Sequence, residues 1–205
     1  MKIKYTKPSE TSFEIELIPN TVNYFVGLNG TGKTVTTSAL EYHIREKLKK
    51  RGNWATVPAT HLLEPYTFEG FDEIADVWHY TSKTRQSHWV DLDMVFESAS
   101  SISTLHSSEG MVCQSEIVRV FNKRDEENTL FIFDEIDGNL DIRAKQIFFN
   151  KVLPQLKGTS IVMSHDMFFF FINNDVRVFD FTTKTYKTYD EYYLENLIKY
   201  SKIVK

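Results

Sequence analysis

The chain has 205 residues, 24 basic against 28 acidic side chains for a formal net charge of −4, and 41% hydrophobic residues. That length suits one domain, and that much apolar material excludes a disordered chain. Cys113 is the single cysteine, which excludes a disulfide scaffold and points to a reducing, cytoplasmic compartment.

No apolar run approaches the ~20 residues that span a bilayer, so no membrane insertion is expected. The opening residues, MKIKYTKPSE, carry no apolar signal core, so no export is expected. Mild acidity opposes bulk attraction to nucleic acid but leaves room for a local basic patch.

In chain order, Phe13, Ile15 and Leu17 alternate with Glu14 and Glu16, which predicts a half-buried strand. Val22 to Val26 reads as a second, more buried strand, followed by the glycine-rich stretch Gly27 to Gly32. A helix is expected from about Lys33 to Lys50, with Leu40, Ile44 and Leu48 as its apolar stripe and Glu41–Arg45 as a helical ion pair. Val77 to Tyr80 reads as a strand, and Val90 to Ala99 and Met111 to Lys123 as helices.

Thr129 to Phe133 is apolar throughout, as in a strand buried in a parallel sheet. Ile142 to Leu156 reads as a helix that Gly158 ends, and Thr159 to Met163 as another buried strand. Val176 to Phe181 and Tyr186 to Tyr189 form an expected hairpin around Thr182-Thr183-Lys184, and Asp190 caps a last helix. Strands alternating with helices predict an α/β fold with a largely parallel sheet.

Gly27-Leu28-Asn29-Gly30-Thr31-Gly32-Lys33-Thr34 fits G-x-x-x-x-G-K-T, the Walker A pattern, between an apolar strand and an amphipathic helix. Glycines let successive backbone N–H groups turn inward around phosphate oxygens, and the helix N-terminus adds its positive dipole end. Lys33 is placed to reach the β and γ phosphates of ATP, and the Thr34 hydroxyl to bind Mg²⁺. Asp134-Glu135 follows the buried strand, at the edge where α/β proteins bind ligands. Asp134 suits a Mg²⁺ ligand and Glu135 a group that polarises the attacking water. Ser164-His165-Asp166 ends the next apolar strand, which brings His165 to the same edge for γ-phosphate contact. His79 and His88 share no ligand pattern with a cysteine, which argues against zinc.

Taken together, these motifs resemble those of an ABC-type ATPase domain, a P-loop NTPase. The resemblance runs from Phe13 to Asp166 and includes Gly138-Asn139-Leu140-Asp141, which is similar to the family's D-loop. It implies N-terminal antiparallel strands and a small helical subdomain at approximately 82–125 that carries the signature motif. The candidate signature is His106-Ser107-Ser108-Glu109-Gly110, in which Ser107 and Gly110 match nucleotide-contacting positions. Ser108 and Glu109 stand where two glycines are usual, and a serine-rich helix cap is the alternative reading. Gln86 is the candidate Q-loop ligand to Mg²⁺. Tyr5 matches the adenine-stacking aromatic of transporter domains, though a core or surface tyrosine is the simpler reading.

The resemblance implies an ATP-dependent, head-to-tail homodimer that hydrolyses ATP through Lys33, Glu135 and His165. What the cycle drives is read first as a DNA-repair, chromosome or phage-defence task with a nucleic-acid or nuclease partner. The alternatives are the nucleotide-binding subunit of an ABC membrane transporter and an ATP-gated adaptor. Basic candidates for a nucleic-acid patch are Lys47, Lys49, Lys50 and Arg51, and Arg119, Lys123 and Arg124; solvated helix ends are the plainer reading.

Overall fold

A computed structural model of the chain describes residues 1–7, 10–48, 63–81, 122, 125–135, 142–164 and 176–201. In chain order the strands are β1 (Lys2–Tyr5), β2 (Phe13–Glu16), β3 (Val22–Val26), β4 (Tyr66–Glu69), β5 (Asp76–Thr81), β6 (Thr129–Asp134), β7 (Thr159–Met163), β8 (Arg177–Asp180) and β9 (Thr185–Thr188). Among the described residues, the α-helices of more than one turn are α1 (Lys33–Lys47), α2 (Ile142–Ile147) and α3 (Tyr189–Ser201). Six strands form one sheet in the order β5-β6-β7-β3-β8-β9, and β2-β1-β4 form a second. In the larger sheet all pairings are parallel except β8 with β9; the smaller sheet is antiparallel throughout. The α/β class, the largely parallel sheet and the N-terminal antiparallel strands therefore agree with the reading of the sequence. The helical region at approximately 82–125 lies almost entirely outside the described residues.

Burial follows the strand period of two. On β6, Leu130 and Ile132 face α1 and the small sheet, packed with Leu40, Ile44, Ile3 and Ile15. Phe131 and Phe133 face the other way, onto Phe148, Phe149, Val152 and Leu153. Every residue of β6 is buried, as expected for a central parallel strand covered on both faces. The α1 stripe is also in place: Leu40 and Ile44 are buried and Leu48 packs against their cluster.

Four local expectations change. First, β1 and β4 were not among the expected strands, because each offers only two apolar side chains (Ile3 and Tyr5, Tyr66 and Phe68) where the alternation of β2 continues through Leu17. Long-range pairing of both flanks of β1 makes them strands: Ile3 sits opposite Ile15 on one side and Phe68 on the other. Second, α1 ends at Lys47 with Leu48 as C-cap, short of Lys50.

Third, the helix expected over 142–156 is three pieces: α2, a π-turn at Phe148–Val152 and a 3₁₀ turn at Leu153–Gln155. Pro154 has no N–H to continue an α ladder, and the wide turn lets the adjacent Phe148 and Phe149 both reach the sheet. Fourth, Thr188, not Asp190, caps α3. The Glu191 N–H donates to Thr188 Oγ1 (3.3 Å) while the Thr188 N–H donates to Glu191 Oε2 (2.8 Å), a reciprocal capping box.

Candidate functional site

Because β3, β5, β6, β7 and β8 run parallel, their C-terminal ends share one sheet edge. Gly27 follows β3, Asp134 ends β6, Ser164 follows β7 and Phe181 follows β8. β7 lies between β3 and β6, so the 27–34 loop and the Asp134-Glu135 pair flank one intervening strand.

The loop needs glycine for steric reasons. Gly27 has φ 127°, and a Cβ there would lie 3.0 Å from the Thr182 backbone nitrogen. That close approach is a real junction: the Phe181 N–H donates to Val26 O (2.9 Å), and the Leu28 N–H donates to Thr182 Oγ1 (3.1 Å). Gly32, at φ 100°, is the N-cap of α1 and supplies no side-chain cap. The first-turn N–H groups of α1 are therefore left to the loop concavity, and with the helix dipole they suit an anion. Asn29 and Gly30 are exposed at the tip, and the Thr31 hydroxyl donates back to Leu28 O (2.8 Å).

Lys33 is buried, and its Nζ donates to Gly27 O (2.7 Å) and Leu28 O (2.9 Å), so the loop curls around its own cation. Burial lowers the Lys33 pKa; Glu135, then Asp134 and Asp180, pull it back up.

Asp134 is 5% exposed. The Thr34 hydroxyl lies near enough to its carboxylate to influence its pKa, while Oδ1 is buried with no hydrogen-bond partner among the described residues. Burial raises its pKa, opposed by the Thr34 hydroxyl, His79 and Lys33, and Glu135 adds to the rise. A buried carboxylate oxygen without a donor is costly, and it is the chemistry a hard divalent cation satisfies. Thr34 and Asp134 therefore fit a Mg²⁺ site.

Glu135 has φ 58°, and its N–H donates to Met163 O (3.1 Å). This left-handed turn, costly for a residue with a side chain, carries the chain out of β6 and leaves Glu135 half-buried near Lys33.

Beneath this edge, the expected Glu41–Arg45 pair is present (2.8 Å) and extends further than its helix. His79 Nδ1 lies 2.5 Å from Glu41 Oε2, and Arg45 Nη2 donates to Val77 O (3.1 Å). The network ties α1 to β5.

The turn at Phe181–Lys184 is held by Asp180. Its carboxylate accepts from the Thr182 N–H (2.8 Å), Thr183 Oγ1 (3.1 Å) and Lys187 Nζ (2.9 Å). Burial alone would raise its pKa, but these donors outweigh burial and hold it below the ordinary 3.8. A depressed carboxylate adds stability above its unfolded pKa and loses it as pH falls through the folded one. Asp180→Asn is therefore expected to cost about 2 kcal/mol at pH 7 and distinctly less at pH 3, read by thermal unfolding. An equal loss at both pH values would show that the charge is not what holds the turn.

Beside the loop, between it and the small sheet, lies a cleft of about 590 Å³. Tyr5, Tyr66, Glu10 and Lys184 line it together with Gly30 to Gly32. Tyr5 is half-buried and stacked on Phe13 with centroids 5.0 Å apart, so it is a wall of this cleft.

The structure thus gathers Gly27, Asn29, Gly30, Thr31, Gly32, Lys33, Thr34, Asp134 and Glu135 at one edge. Gln86, Ser107, Gly110, Asp141 and His165 lie outside the described residues. So do Lys49, Lys50, Arg51, Arg119, Lys123 and Arg124; Lys47 is paired with Asp72. No protein-family model matches the chain, and no curated protein matches it. Sequence reading missed Asp180, Thr182 and Lys184 as neighbours of the loop. Their signal was the adjacent expected strand Val176–Phe181, whose end shares the edge once β8 pairs with β3.

Proposed function

We propose that this chain is an ABC-type P-loop ATPase domain. In this reading it binds Mg-ATP, pairs head to tail with a second copy, and hydrolyses ATP to drive a partner or a nucleic-acid transaction. The observation that carries the proposal is the closeness of Thr34 to Asp134, near enough for the Thr34 hydroxyl to oppose the rise in the carboxylate's pKa. Two motifs far apart in sequence meet there, and an unpartnered buried carboxylate oxygen sits at their junction.

The roles follow from position. First-turn amides and the Gly30–Gly32 backbone cradle the β-phosphate, and Lys33 exchanges its carbonyl partners for phosphate oxygens. Thr34 and Asp134, with Gln86 as a further ligand, would hold Mg²⁺, which would neutralise triphosphate charge when bound. Glu135 accepts the proton of the attacking water, and His165 steadies the γ-phosphate. Ser107 and Gly110 of the second copy close the site from across the dimer. A cytoplasmic DNA-repair or defence role is favoured over a transporter subunit by the irregular signature-like motif around Ser107.

Asp134→Asn tests the metal assignment on two readouts. The raised pKa of Asp134 means that the folded state holds its proton more tightly than the unfolded state, so its charge costs stability at neutral pH. Asparagine removes that charge. The metal-free variant is expected to melt higher, by about 2–4 °C for each ~1 kcal/mol of relief. At the same time, phosphate release from ATP on adding Mg²⁺ should disappear, as it should for wild type in EDTA. Retained Mg²⁺-dependent turnover would overturn Asp134 as a ligand.

A further inference from the structure

A second lysine grips the 27–34 loop at a different carbonyl from those that Lys33 holds. Lys184 ends the turn between β8 and β9 in a left-handed conformation, φ 59°, with its N–H bonded to Asp180 O (2.7 Å). Its Nζ donates to Thr31 O (2.9 Å) and lies 4.6 Å from the centroid of Phe13 and 4.8 Å from that of Phe181. The ammonium is thus held over two aromatic faces with one carbonyl partner, at the wall of the 590 Å³ cleft. Burial lowers its pKa, while Asp180 and Glu10 raise it.

The two lysines mark two ends of one path. Lys33 lies within electrostatic reach of Asp134 and Glu135, where the reaction proposed above places the terminal phosphate. Gly30, Gly32, Val35 and Thr36 instead open onto the cleft that Lys184 lines. A nucleotide with its terminal phosphate at the carboxylate end must leave the loop toward that cleft, where its nucleoside-proximal phosphate meets Lys184.

We propose that Lys184 is a nucleotide-binding residue that transfers its hydrogen bond from Thr31 O to the nucleoside-proximal phosphate. This assignment rests on the ATPase reading above and adds a contact from the C-terminal hairpin. Because β9 runs directly into α3, bound nucleotide also tethers the C-terminal hairpin to the loop.

The test is equilibrium binding of Mg-ATP to the full chain as wild type, Lys184→Met and Lys184→Arg. Lys184→Met is expected to bind about 10- to 100-fold more weakly, and Lys184→Arg within about threefold of wild type. The salt dependence of binding should be shallower in Lys184→Met, since one phosphate-facing charge is gone. Amide hydrogen exchange at residues 181–185 of wild type should slow on adding Mg-ATP, a readout that needs no variant.

Unchanged affinity in Lys184→Met overturns the proposal while leaving the ATPase reading intact. So does equal loss in both variants, which would make the lysine's packing rather than its charge responsible, or unchanged exchange at 181–185 in wild type. Wild type that fails to bind Mg-ATP at all overturns the ATPase reading, and the Lys184 assignment with it.

Discussion

Glu135→Gln is expected to keep Mg-ATP binding and to slow hydrolysis by ~10²- to 10⁴-fold, the range a positioned general base supplies. Glutamine matches glutamate in shape, so the left-handed turn at φ 58° and the bond to Met163 O should persist. What disappears is the only property the role requires, a group able to hold the water's proton. Lys33 should feel the change too, because Glu135 is the carboxylate that raises its pKa most. The variant is expected to accumulate as an ATP-bound dimer, because the step that would release the two copies is blocked. Phosphate release and light scattering with Mg-ATP measure both effects. Turnover within about tenfold of wild type would remove Glu135 from the catalytic role.

The second large effect is on stability. Phe131→Ala removes a ring with 0% exposure, stacked on Phe133 at 6.4 Å in the core between the sheet and the 148–153 segment. The expected loss is about 3–5 kcal/mol, from lost transfer energy plus the cavity left in a rigid surround. Against a total of ~5–15 kcal/mol that is a large share, and it should lower Tm by roughly 6–20 °C in a chain of this size. Phe131 and Asp134 lie on opposite faces of β6, because side chains alternate along a strand. Well below the new Tm, Mg-ATP affinity should therefore stay near that of wild type. Thermal unfolding and a binding titration at low temperature check the two parts separately. A Tm drop under ~3 °C would show that the 148–153 segment collapses into the space.

How much was legible depended on the range of the interactions. The motif residues from Gly27 to Thr34 could be read because their constraint is local: a turn needing left-handed backbone, then a helix start. β6 and β7 could be read because burial on both faces demands an unbroken apolar run. β1 and β4 could not, since two apolar positions each carry too little period and only pairing in space makes them strands. The 148–152 turn was hidden because the 3.6-residue pattern continues through it, and only Pro154 hinted at the break. Asp190 looked like the cap of α3 by residue type, yet the hairpin register ends β9 at Thr188, which takes that place.

For this protein, the sequence alone determined the α/β class, the central strands and the loop carrying Lys33 and Thr34. Patterning over a few residues decides those features, because burial and backbone sterics act on neighbours in the chain. Tertiary structure alone decided which of these pieces meet. The strand order β5-β6-β7-β3-β8 brings Asp134 to Thr34, and the β8–β9 turn brings Lys184 to Thr31. No local signal encodes those encounters. They follow from parallel pairing, which aligns strand ends from distant parts of the chain at one edge of the sheet.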